Sequence, residues 1–220
     1  MPPRERHDGA VGIVGAMTTR PTRTLLWILT LIALVAAGFA AYFAGRALAP
    51  RPERVATVLQ NPQAAGDLTL VHAPTGTERS LADVTGEATW TLVFFGFVNC
   101  PDVCPLTMAH LAETYRTLGE PEDVQVVMIT VDPQNDDPER LQAYVSGFHP
   151  DFVGLAGSDA QIAEAARRFF VGYAGTGRDI VHTEAVGLVD ASGTLRAVWG
   201  QAKVPSIGVD VADLLDGRPL

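Results

Sequence analysis

Lysine is almost missing from this 220-residue sequence: of its 16 basic residues, all but Lys203 are arginine. From residue 51 onward only 11 basic residues face 23 acidic ones, a net charge of −12. Such a chain has no basic stripe to track phosphates, which argues against nucleic acid as a partner. Cysteine is nearly as scarce. Cys100 and Cys104 are the whole complement, so any thiol chemistry belongs to one place. No internal repeat or long low-complexity tract appears. The length therefore has room for one N-terminal anchor and one domain of ordinary size.

Charge is also missing locally. The twenty residues from Leu25 to Ala44 carry none. At about 1.5 Å per residue such a helix spans roughly 30 Å, the hydrocarbon thickness of a bilayer. Trp27 and Tyr42 lie near its two ends, where amphipathic rings favour the interface. A core helix needs a polar face, and Thr30 alone does not make one. The run is longer than the roughly 7–15 apolar residues of a signal peptide. Pro50, just after the small-residue site Ala47-Leu48-Ala49, also disfavours cleavage there. A retained membrane anchor over 25–44 is expected, with a head over 1–24, a Pro-rich linker over 45–66 (Pro50, Pro52, Pro62) and a folded domain over 67–220. Arg20 and Arg23 precede the run while Arg46, Arg51 and Arg54 follow it, so flanking charge leaves the orientation nearly balanced. Met1 and Met17 are both possible starts.

Within the domain, Asp67–His72 alternates as a half-buried strand does. Trp90–Phe97 and Val124–Val131 are almost wholly apolar and rich in aromatic and β-branched residues, which predicts central strands covered on both faces. After Pro105, residues Leu111, Tyr115 and Leu118 form one helical stripe. Asp137 before Pro138 predicts a helix start. Ser158 and Gln161 form a capping-box pattern ahead of Ile162, Ala165, Ala166 and Phe169. A short strand precedes that helix. Ala185–Asp190 and Thr194–Trp199, joined through Gly193, predict a hairpin, and Val209–Leu215 a closing helix. The order predicts an α/β architecture with a mixed sheet.

Cys100 and Cys104 stand at a strand-to-helix corner, in Cys-Pro-Asp-Val-Cys-Pro. A plain disulfide closing so small a loop would remove little entropy from the unfolded chain. Pro105 in the first helical turn puts Cys104 near the positive end of the helix dipole, a setting that favours thiolate. Soft thiolates prefer Cu(I) and Zn(II) to hard cations. Two thiolates leave either site incomplete, and five histidines could supply more. His7 precedes the anchor. His110 lies in a helix stretch of mixed polarity, more simply solvated. His72 and His149 have no cysteine near them in sequence and are more simply structural. His182 leads into the penultimate strand, where an α/β fold can carry it across the end of the first central strand.

Phe94-Phe-Gly-Phe-Val-Asn-Cys-Pro-Asp-Val-Cys-Pro105 resembles the signature of the Sco/SenC family. Ile129–Pro133 with Asp137-Pro138, Asp151–Ser158, and Val181-His-Thr183 with Leu188–Gly193 resemble further family segments in the same order. The likeness covers roughly 60–216. It implies a thioredoxin-like, membrane-anchored copper protein that assists assembly of the Cu-A centre of cytochrome c oxidase. By that resemblance Cys100, Cys104 and His182 are the metal ligands, for copper as Cu(I) or Cu(II). The implied partners are the Cu-A-bearing subunit II and other copper chaperones. The domain then stands on the periplasmic side of a bacterial cytoplasmic membrane, with the head in the cytoplasm. One departure is Val181, where the family commonly has aspartate, a change that bears on affinity and partner recognition.

Other readings stay open. A tethered thiol–disulfide oxidoreductase would use the same pair, although three residues rather than the usual two separate the cysteines. A copper or redox sensor could have the same domain sequence. A structural Zn(II) site would want a fourth ligand, and none is evident.

Overall fold

The computed structural model describes residues 21–48 and 54–220. His7, both candidate starts, most of the expected head, and Pro50 and Pro52 lie outside the described residues. The chain divides into two compact units, Met1–Arg51 and Pro52–Leu220.

In the first unit, helix α1 (Pro21–Leu48) contains Leu25–Gly45, a stretch long and apolar enough to cross a membrane. Its large side chains, from Leu25 to Phe43, are exposed all round. Among the described residues of this unit none buries them, which makes the helix a candidate membrane span. The Thr30 hydroxyl donates back to the carbonyls of Leu26 and Trp27, at 3.0 and 2.9 Å. That satisfies the one hydroxyl in the middle of the run without a partner helix.

The second unit is built on an eight-stranded mixed sheet. Its strands are β1 (Thr57–Ala64), β2 (Thr69–His72), β3 (Thr77–Ser80), β4 (Trp90–Gly96), β5 (Val124–Thr130), β6 (Val153–Ala156), β9 (Ala185–Asp190) and β10 (Thr194–Gly200). The spatial order is β1-β10-β9-β4-β5-β6-β2-β3. β4, β5 and β6 run parallel, and the remaining pairs are antiparallel. A separate two-residue ladder joins β7 (Tyr173–Ala174) to β8 (Val181–His182). The helices are α2 (Leu81–Thr85), α3 (Val103–Thr117), α4 (Pro138–Ser146), α5 (Asp159–Arg168) and α6 (Ile207–Leu215).

Hydrophobic patterning explains the layout. Every residue of β4 after Trp90 is buried, and β5 buries all but Gln125, because both strands lie inside the sheet with layers on either face. β10 instead buries Leu195, Ala197 and Trp199 at every second position. The expected caps are present: Asp137 accepts the Arg140 amide at 2.8 Å, and Ser158 with Gln161 closes a capping box.

One expectation needs correction. Part of the stretch assigned to a linker is a strand: β1 pairs with β10 across a register break between Val58 and Gln63 that contains Pro62. An exposed edge strand tolerates proline and polar residues, so its composition resembles a linker. The segment is also pinned just upstream. The fully buried Asp210 carboxylate accepts the amides of Val55 and Ala56, at 3.1 and 2.8 Å, and the Trp199 indole N–H at 2.8 Å. The β3–α2 pair is an addition, which no period in so short a segment announced; Ser80 caps α2 by accepting the Asp83 amide at 3.1 Å.

The topology places the site. β4 and β5 are parallel, so their carboxyl ends open on one edge, where α/β sheets hold ligands. β9 runs antiparallel to β4 with Phe94 opposite Val186, so the residues just before β9 arrive beside those just after β4.

Candidate metal centre

Three side chains meet at that edge. Cys100 stands on the loop leaving β4, Cys104 in the first turn of α3, and His182 on β8. One ligand atom from each lies within 4.8 Å of the other two, the only such soft-donor group among the described residues. The Cys104 sulfur is 3.5 Å from His182 Nε2 across 78 residues of chain. Cys100 is half-buried and Cys104 fully buried, both as free thiols.

Each candidate ligand is held differently. His182 Nδ1 lies 3.1 Å from the Thr183 carbonyl oxygen. That oxygen can only accept, so Nδ1 carries the proton and Nε2 turns its lone pair toward the sulfurs. Phe94 and Phe97 meet the imidazole edge-on, with ring centroids 6.0 and 6.1 Å away. β8 itself is held to the chain before β7: Thr183 donates its amide to the Gly172 carbonyl at 2.8 Å and accepts the Gly172 amide at 3.1 Å. Gly96, the last residue of β4, leaves the space the site occupies. A Cβ there would stand 2.7 Å from Phe94 Cε1, 3.0 Å from Met128 Cε and 3.2 Å from the Cys104 sulfur.

The helix start acts on the cysteines in an unexpected way. α3 begins at Val103, and Asp102 makes no side-chain cap. The Cys104 amide, one of the first-turn donors without an intrahelical acceptor, points instead at the Cys100 sulfur, 3.4 Å away. The dipole end was expected to favour a Cys104 thiolate. Burial wins there: desolvation first, then the hydrogen bond and charge of Cys100 and the charge of Glu184, push the Cys104 thiol well above its ordinary range. A bound cation would reverse this, because a coordinating thiol is deprotonated outright.

The remaining histidines stand apart from this group. His72 is buried in β2 with Nδ1 3.0 Å from Thr75 Oγ1, and burial lowers its pKa. His149 is buried between Tyr115 and Phe152, at centroid distances of 4.8 and 5.4 Å, with Glu120 3.4 Å from its Nε2. His110 is half-buried rather than solvated. Val181, the departure from the family pattern, is 72% exposed on the rim.

Gly96 and Thr183 went unrecognised in the sequence. A glycine inside an otherwise apolar strand does signal a close approach. A backbone carbonyl that sets a tautomer leaves no signal at all.

Two sulfurs and one imidazole nitrogen, half-sheltered and converging, are a donor set for a soft or borderline metal ion. Fold and site together define a thioredoxin-like domain carrying a two-cysteine, one-histidine centre. The family model described as SCO1/SenC matches residues 57–212, and the chain belongs to that family. It is 36% identical over 147 residues to "Protein SCO2 homolog, mitochondrial" of Mus musculus, covering 63% of this chain and 56% of that protein. It thus spans little more than half the length of that relative. Among solved structures it resembles apo Sco1 from Thermus thermophilus, with 35% identity, a TM-score of 0.64 and coverage of 74% of this chain and 96% of that one. It also resembles yeast Sco1 with copper bound, with 27% identity, a TM-score of 0.61 and coverage of 72% and 91%.

Proposed function

We propose that this chain is a membrane-anchored copper protein that binds the ion through Cys100, Cys104 and His182 and assists assembly of the Cu-A centre of cytochrome c oxidase. The observation that carries this reading is the convergence of the three donors within 4.8 Å. Family membership and the copper-bound yeast relative support the choice of copper. Thiolates suit Cu(I), and the neutral imidazole extends the set toward Cu(II).

The same thiols give the site a redox side. Oxidation of the pair to a disulfide removes two electrons and two protons and abolishes both sulfur ligands, so holding metal and being reduced are linked. By thiol–disulfide exchange the reduced pair would open a disulfide between the target's own metal-binding cysteines. The target's thiols then carry the electrons, and this protein leaves as the disulfide. Metal delivery and thiol reduction are thus two uses of one pair. The proposed target is the Cu-A-bearing subunit II, with other copper chaperones as suppliers. The proposed placement is a single α1 span, the head in the bacterial cytoplasm and the domain on the periplasmic side where a Cu-A domain stands. The domain boundaries follow, with the tether ending at Arg54 rather than at 66.

The test is copper titration of the full-length chain in detergent. One ion per chain is expected, with His182→Ala weakening Cu(II) binding and altering its sulfur-to-copper absorption. Unchanged spectrum and affinity in that variant would remove His182 from the site. Deletion in the source organism, with Cu-A content scored in copper-poor medium, tests the role; a normal oxidase there would refute it.

A further inference from the structure

Of the three ligands, Cys100 has the least regular support. Cys104 is fixed in a helix and His182 in a strand ladder, while Cys100 follows a turn with one backbone hydrogen bond of its own, to the Phe97 carbonyl at 3.3 Å. What holds that turn comes from elsewhere in the chain. Asp136, 1% exposed in the segment between β5 and α4, accepts the Val98 amide at 3.0 Å through Oδ2. The same oxygen accepts the Thr130 hydroxyl at 2.7 Å, which ties the carboxylate to the end of β5. Four residues on, Arg140 donates to the Asn99 side-chain oxygen at 2.7 Å and to the Asn135 carbonyl at 3.1 Å. Two consecutive residues of the Cys100 turn are therefore held from the start of α4.

A buried carboxylate without a cation is costly, and it stays in a fold only where its contacts repay the desolvation. Asp136 is not needed as a helix cap, since Asp137 does that. Its second oxygen, Oδ1, has no hydrogen-bond partner. The two hydrogen bonds through Oδ2 are therefore the only ones this side chain makes, and one of them lands two residues before a proposed metal ligand. Desolvation raises its pKa despite the Thr130 and Val98 hydrogen bonds.

We propose that Asp136 is a positioning residue for the metal centre, setting through the Val98 amide where the Cys100 sulfur stands relative to Cys104 and His182, with the Arg140–Asn99 contact as a second tether. The idea rests on the ligand assignment made above. It implies two effects. Outer residues that orient a metal ligand typically govern affinity about 10–100-fold. The tether also holds Cys100 in the open, dithiol arrangement, since a disulfide requires the sulfurs to close to about 2.05 Å. Releasing the turn should ease that closure.

The experiment compares Asp136→Ala, Asp136→Asn, Arg140→Met and Cys100→Ser in the full-length chain. It reads copper affinity by chelator competition and, without metal, the Cys100–Cys104 thiol–disulfide equilibrium against glutathione. Asp136→Ala should lose about 10–100-fold in affinity and shift the metal-free equilibrium toward disulfide. Asp136→Asn keeps an acceptor oxygen for both donors and should stay close to wild type in both readouts. Arg140→Met alters a surface side chain and should move both in the same direction by less. A folded Asp136→Ala variant with wild-type affinity and equilibrium would overturn the proposal, as would an Asp136→Asn variant as impaired as the alanine. If Asp136→Ala does not fold, Arg140→Met decides: no change in either readout overturns the tether. Cys100→Ser separates the two ideas. Undiminished copper binding there removes the ligand assignment, whereas loss there with none in Asp136→Ala overturns positioning alone.

Discussion

Gly96→Ala is the smallest change that reaches the site without replacing a candidate ligand. The new methyl would come within 2.7 Å of Phe94 Cε1, 3.0 Å of Met128 Cε and 3.2 Å of the Cys104 sulfur. Phe94, Met128 and Cys104 are all at most 1% exposed, so none can swing into solvent. Overpacking a dense core costs about 1–3 kcal/mol. For a domain of this size each kcal/mol shifts Tm by about 2–4 °C, so a fall of about 2–12 °C is expected. The site should suffer further. The methyl pushes directly on one candidate ligand, Cys104, and through Phe94 on the imidazole that rests against that ring. Thermal melts of the metal-free full-length chain read the first effect, and the sulfur-to-copper absorption bands of the loaded protein read the second. Wild-type Tm together with wild-type bands would refute the reasoning, because the three atoms the methyl meets all belong to buried side chains.

Two further outcomes are expected. Phe170 is 60% exposed at a φ of 59°, two residues past the end of α5, where its amide and that of Val171 reach back to the Arg167 and Ala166 carbonyls at 3.3 and 2.8 Å. Glycine is the ordinary residue at such a helix end, so Phe170→Gly should stabilise the fold by about 1 kcal/mol in chemical denaturation; a lower midpoint would show that the ring packs more than its exposure implies. In the metal-free protein at pH 8, iodoacetamide should label Cys100 ahead of Cys104. The sign follows from burial: a raised thiol pKa leaves little thiolate below it, and each unit of elevation cuts that fraction about tenfold. Peptide mapping that finds equal labelling would contradict it, and loss of the preference on copper binding would follow from both thiols being coordinated.

Much of the domain was readable in sequence because its signals are local. The apolar runs that become β4 and β5, the proline after Asp137 and the Ser158–Gln161 capping box each act over a few residues, and a single stretch contains all the physics they need. The same holds for α1, whose uninterrupted apolar length needs no partner within the chain. β1 was misread because this exposed edge strand has too little inward face to pattern, with Leu59 its one apolar residue packed on the core. Its partner β10 and its anchor Asp210 both lie more than a hundred residues away.

The cysteine pair, its place at a helix start and the identity of the candidate third ligand came from sequence, through residue type, spacing and family resemblance. Only the tertiary structure could decide how these groups behave together. The antiparallel register of β9 against β4 is a long-range property, and it is what brings His182 to 3.5 Å from Cys104. The electrostatic outcome at the thiols was likewise out of reach. Sequence places Cys104 at a dipole's positive end, but the fold buries that sulfur and hands the free amide to Cys100. Desolvation depends on everything packed around an atom, and no local spacing encodes it.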